Sequence, residues 1–204
     1  MTEVKRSYRQ IRAHYDQETI RVYQAYSNSI ADSALRHGTF VSPPFSMSRM
    51  TWIKPSFLWM MYRCGWAEKD EGQKRVLAVD ISRSGFEEAL AQAVISHYEG
   101  KDEAGYDEWK KRLAASPVRI QWDPERDLDF RPLEYRSLQV GLRGGAVEDY
   151  VSKWIVRISD LTGLAGRIHQ LVKDGNYEEA AGLLPAEKVY PLDERLRVLI
   201  SASQ

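Results

Sequence analysis

Four absences bound what this chain of 204 residues can be. It has a single cysteine, Cys64, so no internal disulfide can form, which fits a reducing compartment. Its four histidines, His14, His37, His97 and His169, are scattered, and C-x-x-C, H-x-H and H-E-x-x-H are all missing, so no metal is expected. Net charge is absent too: Lys+Arg and Asp+Glu number 29 each, leaving no global field to hold nucleic acid, and any such contact has to be local. The longest apolar run, Phe57 to Met61, is far too short to span a bilayer, and Met1 to Arg6 carries no apolar signal region. A soluble, cytoplasmic protein with no membrane partner is the expectation.

Standard phosphate and nucleophile motifs are also lacking, since G-x-x-x-x-G-K-[ST], G-x-G-x-x-G and G-x-S-x-G do not occur. Leu142-Arg143-Gly144-Gly145-Ala146 comes nearest and reads as a plain turn rather than a phosphate cradle. No Pro/Gly/Ser-rich linker or charge block divides the chain, so residues 1–204 read as one domain.

What is present is a mixture of strand and helix patterns. Residues 1–18 read as polar and helical or irregular. Thr19 to Tyr26 is β-branched and aromatic, which predicts a strand followed by a helix capped at Ser27 or Asn28 and stopped at Gly38. One continuous helix over residues 17–37 also satisfies the spacing. Phe40 to Phe45, with Pro43-Pro44, reads as a rigid loop. Arg75 to Ile81 is almost continuously apolar, as a strand covered on both faces should be. Ser84-Gly85-Phe86-Glu87 is a capping box, predicting a helix from there to near Gly100. A solvated helix over residues 100–116 and strands at 118–122, 135–142 and 154–158 follow, with Asp123 to Arg131 as a polar connection. Helices come last, from Asp160 to Gly175, over Asn176 to Leu184, and after Pro191. The fold class predicted is α+β, a single mixed α/β domain.

The most concentrated stretch is Arg49-Met50-Thr51-Trp52-Ile53-Lys54-Pro55-Ser56-Phe57-Leu58-Trp59-Met60-Met61-Tyr62-Arg63. Pro55 pushes Lys54 out of the α region and suits the first position of a helix, so a strand should hand over to a helix there. The orphan N–H groups of that helix, beside Lys54, Ser56 and Arg49, predict an anion site. Trp59, Arg63 and Trp66 share one helix face, while Phe57, Leu58 and Met61 form a competing apolar one. Cys64, on the same helix, reads as a small buried hydrophobe. Arginines suit phosphate and aromatic faces suit a purine or nicotinamide ring, so the set points to a nucleotide-like ligand. Gln24 and Gln139, each within a strand, read as structural hydrogen-bonders or as base-reading groups.

Arg12-Ala13-His14-Tyr15-Asp16, Val22 to Tyr26, Arg49 to Arg63, Gly85-Phe86-Glu87 and Arg136 to Leu142 together resemble domain-of-unknown-function family 4291 over almost the whole chain. A second resemblance is to the ADP-ribosyltransferase superfamily. Val22-Tyr23-Gln24-Ala25, a helix, and Gly38-Thr39-Phe40 are similar to the V-Y-R-A strand, helix and G-x-F turn that open several such enzymes. That likeness implies an ADP-ribosyltransferase-like sheet with surrounding helices. It also implies NAD as cofactor and transfer to a nucleotide or nucleic-acid substrate. Gln24 stands where those enzymes place a phosphate-contacting arginine, and Gln139 where a catalytic glutamate is typical, with Glu134 off the pattern. Some relatives that remove phosphate from RNA with NAD use Arg and His instead. On this basis Gln24, Arg136 and Gln139 are candidate catalytic residues, and Tyr23, Arg49, Trp52, Lys54, Ser56 and Arg63 candidate NAD contacts. Arg12 and Tyr15 are candidate substrate contacts. The alternative from another class is a non-catalytic RNA- or nucleotide-binding protein.

Overall fold

A computed structural model describes residues 7–100 and 102–203. The expectations for Met1 to Arg6 lie outside the described residues. The fold is α+β. Its first elements are β1 (Arg12–Ala13), β2 (Thr19–Tyr26), α1 (Asn28–His37), β3 (Thr51–Ile53) and α2 (Phe57–Cys64). Then come β4 (Arg75–Ser82), α3 (Arg83–Ala91), β5 (Ala93–Ile95), α4 (Glu103–Ala115), β6 (Val118–Arg126) and β7 (Pro132–Leu142). The chain finishes with α5 (Gly145–Asp149), a π-helical turn over Tyr150–Trp154, β8 (Ile155–Asp160), α6 (Thr162–Lys173), α7 (Tyr177–Gly182), β9 (Lys188–Val189) and α8 (Glu194–Leu199).

Two sheets carry the molecule. One is the antiparallel set β2-β4-β8, the other is β3-β7-β6-β5 with β5 parallel to β6, and β1 and β9 form a small ribbon of their own. The sheets meet at an antiparallel bridge between Tyr23 and Lys54, where the Tyr23 amide donates to the Lys54 carbonyl at 2.7 Å. β4 explains its own apolar run: Leu77, Val79 and Ile81 face one core with Ile20, Val22 and Phe86, while Val76 and Ala78 face a second core under α2 with Phe57 and Met61. Asp80 interrupts that run because Arg21 and Arg157 clamp it, at 2.7 Å each, and their bonds outweigh burial to hold its carboxyl below the usual range.

Strand then helix is the outcome for residues 19–37. Ser27 is the extended N-cap residue of α1, and Gly38 ends the helix with φ at 70°, a conformation glycine adopts without a Cβ penalty. Elsewhere the boundaries differ from the expectation. α3 is capped by Ser82, whose Oγ accepts from the Gly85 amide at 3.2 Å, so the Ser84 box is not used and the helix starts earlier. It also ends at Ala91, because Ala93, Val94 and Ile95 pair with Val118, Arg119 and Ile120 as β5. The polar connection expected after Trp122 is strand in its first half, since β6 runs on to Arg126 and stays paired with β7 there, and only residues 127–131 form the turn. The last helix starts at Glu194, where Asp193 Oδ1 accepts from the Leu196 amide, rather than at Pro191.

Candidate functional site

The junction after β3 departs from the expected anion site. Lys54 is extended as the proline requires, but Pro55 precedes the helix and Ser56 caps it, its Oγ accepting from the Trp59 amide at 3.1 Å. The Phe57 amide donates to Glu187 Oε1 at 2.7 Å. A side chain of this chain therefore fills the place assigned to an external anion, and Ser56 is buried beneath it. Burial, together with the charge of Glu125, raises the Glu187 carboxyl to about 8, against the pull of the Phe57 amide.

On the other side of Lys54 the two sheets splay apart around a cavity of about 700 Å³. β2 supplies Gln24 to one wall, β3 and its approach supply Arg49, Trp52 and Lys54, α2 supplies Arg63, and β6 and β7 supply Gln121 and Gln139. Six of the residues singled out in the sequence, Gln24, Arg49, Trp52, Lys54, Arg63 and Gln139, thus share one space. They do so because alternate residues of a strand face one side, and the edges of two sheets converge at the Tyr23–Lys54 bridge.

Lys54 is only 5 % exposed, and its Nζ reaches the Trp52 carbonyl at a long 3.4 Å. No carboxylate pairs with it among the described residues. Burial, and the guanidinium of Arg63 nearby, bring its pKa down to about 8. Arg49 and Arg63 are exposed at the cavity and likewise lack an acidic partner among the described residues, whereas Arg9, Arg21, Arg75, Arg83 and Arg157 are all ion-paired. Asp70 is the one acid lining the cavity among the described residues, and it is occupied in its own turn by the Gly72 amide and Gln73. The cavity is electropositive although the chain is neutral.

Gln24 is a strut. Its Oε1 accepts from the Tyr150 hydroxyl at 2.7 Å, and its Nε2 donates to the Tyr26 hydroxyl at 2.8 Å and the Trp52 carbonyl at 3.2 Å. Gln139 Nε2 donates to Gln121 Oε1 at 2.8 Å and to Asp123 Oδ2 at 2.6 Å. Trp52 lies across Gly141, where a Cβ would stand 3.0 Å from its ring and 2.9 Å from Met50 Sδ, so the glycine gives the indole its seat.

Five candidates fall elsewhere. Tyr23, one residue from Gln24, points the opposite way into the core under α2, edge-on to Phe57 at 5.4 Å, with its pKa pushed far up by burial. Ser56 caps the helix. Arg136, three residues from Gln139 and so on the other face of β7, donates to the Tyr8 hydroxyl and the Trp122 carbonyl. Arg12 donates to the Glu187 carbonyl and Tyr15 to the Val189 carbonyl, so both hold the segment that carries Glu187. Gln121 was missed as a site residue. Its signal lay in Arg119, Gln121 and Asp123, polar at every second position of a strand.

Fold and site together define an α+β protein with an electropositive cleft between two sheets. The chain belongs to the family described as "Domain of unknown function (DUF4291)", which matches residues 10–190. A search of curated proteins found no match. Among the described residues no helix is long and apolar enough to cross a membrane, and no group of three or more His, Cys, Asp or Glu residues is placed to hold a metal ion.

Proposed function

We propose that the cleft binds a nucleotide through its phosphates, and that the protein is an NAD-using, ADP-ribosyltransferase-like transferase acting on a nucleotide or nucleic-acid substrate. The observation that carries this is the convergence of Arg49, Lys54 and Arg63, none with an acidic partner among the described residues, on one cavity. Cations that meet no carboxylate in the free protein are suited to meet an anion, and a buried one gains most from it. Trp52, seated on Gly141, offers a face for a ring. The likeness of Val22 to Ala25 and of Gly38 to Phe40 to the opening of ADP-ribosyltransferases supplies NAD as the ligand class. Gln139 offers a neutral carbonyl where that likeness implies a glutamate, so it orients the reacting groups without ionising.

A non-catalytic nucleotide or RNA binder is favoured by two observations: the amide of Gln24 is spent on structural bonds, and Arg136 lies on the far face of β7. Titration with NAD and with a short oligonucleotide, read by the fluorescence of the six tryptophans, separates the two. Saturable quenching by NAD, with release of nicotinamide on adding an acceptor, is expected. Oligonucleotide binding alone would favour the binder, and no response to either would overturn both.

A further inference from the structure

We propose that Gln121 and Gln139 form an amide pair of fixed polarity that reads the edge of the ring bound in this cavity. The edge it selects carries one donor and one acceptor side by side, as adenine and the carboxamide of nicotinamide do. This rests on the cavity being a nucleotide site.

Gln121 and Gln139 are directly opposite partners in the β6–β7 ladder, and both line the cavity. A primary amide has two N–H donors, and Gln139 spends both, one on Gln121 Oε1 at 2.8 Å and one on Asp123 Oδ2 at 2.6 Å. The Gln139 oxygen and the Gln121 NH2 are left without a protein partner among the described residues. Turning Gln139 over would set its oxygen against the Asp123 carboxylate, acceptor against acceptor. Turning Gln121 over would set its NH2 against that of Gln139, donor against donor. Asp123 therefore fixes the direction of both amides. Gln24, in the same cavity, has both ends of its amide satisfied and offers no such edge.

A base tethered by its ribose phosphate is limited to its syn and anti orientations, so polarity becomes specificity for adenine, whereas the carboxamide of nicotinamide can rotate to match and is selected for having a donor at all. The Gln139 oxygen accepts from the exocyclic amine of adenine, or from the carboxamide N–H, and the Gln121 NH2 donates to the neighbouring ring nitrogen or carboxamide oxygen. Hypoxanthine reverses that order, and nicotinic acid has no donor to give. Either leaves desolvated polar groups unpaired, which a site built to hydrogen-bond rejects strongly.

The test is calorimetry on the full chain with four mononucleotides in two pairs, AMP against IMP and nicotinamide mononucleotide against its nicotinic acid analogue, and with pyrophosphate as a probe of the cations alone. The wild-type protein should prefer the first member of one pair by about tenfold or more, and the pair that shows the preference names the ring. Gln121→Leu should bring that ratio close to one. Asp123→Asn, which frees both amides to turn, should narrow it too; pyrophosphate affinity should stay within about twofold in Gln121→Leu, whereas Asp123→Asn removes a negative charge that acts on Lys54 and is read by the ratio alone. Thermal melts confirm that each variant is folded, and two variants keep the test open if one is not. Equal binding within both pairs, or a preference that survives Gln121→Leu, would overturn the amide pair. Pyrophosphate binding without any ring preference sinks only this proposal, whereas no binding of pyrophosphate or of any mononucleotide sinks the nucleotide site with it.

Discussion

Lys54 carries its charge into the interior and meets no carboxylate among the described residues, so the folded state holds it at a cost. Its pKa falls from 10.5 to about 8 on folding. Below pH 8 both states are protonated and the whole cost is felt. Between pH 8 and 10.5 the folded protein has released the proton while the unfolded chain keeps it, so stability should rise with pH across that window. Lys54→Met should lose this rise and be more stable at neutral pH by up to about 3 kcal/mol, as read by denaturant unfolding at pH 7 and pH 10. Gly141→Ala should weaken any ring-bearing ligand while leaving pyrophosphate binding alone, since the new methyl unseats Trp52 and touches no cation; an unchanged nucleotide affinity would remove Trp52 from the site. These residues were legible in the sequence because a pre-proline lysine and polar residues within strands are unusual placements. Tyr23 and Arg136 were misread because membership of a strand does not say which face a residue takes until a partner fixes it.

Elements were read well where local chemistry and tertiary packing agree. The β-branched Thr19 to Tyr26, the stop at Gly38 and the doubly covered β4 are of this kind. They were read less well where two local signals compete. Ser82 and Ser84 are both plausible caps, but Ser82 precedes α3 while Ser84 lies in its first turn, and the close packing of Gly85 against Trp154, where a Cβ would stand 2.4 Å from the indole, fixes the helix against the π-helical turn. Ser82→Ala should therefore cost about 1 kcal/mol and the exposed Ser84→Ala much less, and equal effects would mean the box is in use. β5 was invisible because its pairing partner lies beyond a helix. The start of α2 makes a further test. Glu187 has its carboxyl raised from 4.5 to about 8, so the folded protein keeps a proton that the unfolded chain loses, and stability falls as pH rises through that window. Glu187→Gln retains an oxygen for the Phe57 amide and should flatten the fall, seen as a difference between wild-type and variant melts at pH 5 and pH 8.

At the scale of the molecule, neutrality by count conceals separation by place. Acidic residues cluster on the arginines of other surfaces, as Asp80 does with Arg21 and Arg157 and Asp160 with Arg75, while in the cleft Arg49, Lys54 and Arg63 have no acidic partner among the described residues. Composition could not reveal this, because it needs two sheets to meet at Tyr23 and Lys54 before distant cations share a space. The direct measurement is the affinity for pyrophosphate of the wild-type protein and of Lys54→Met, by calorimetry at low and moderate salt with melting followed on the same samples. Binding that weakens with salt in the wild type and by at least about tenfold in the variant, at unchanged or raised melting temperature, is predicted. Equal affinity in the two proteins would contradict it, and so would a stability loss of about 3–5 kcal/mol in the variant, the mark of a broken structural ion pair.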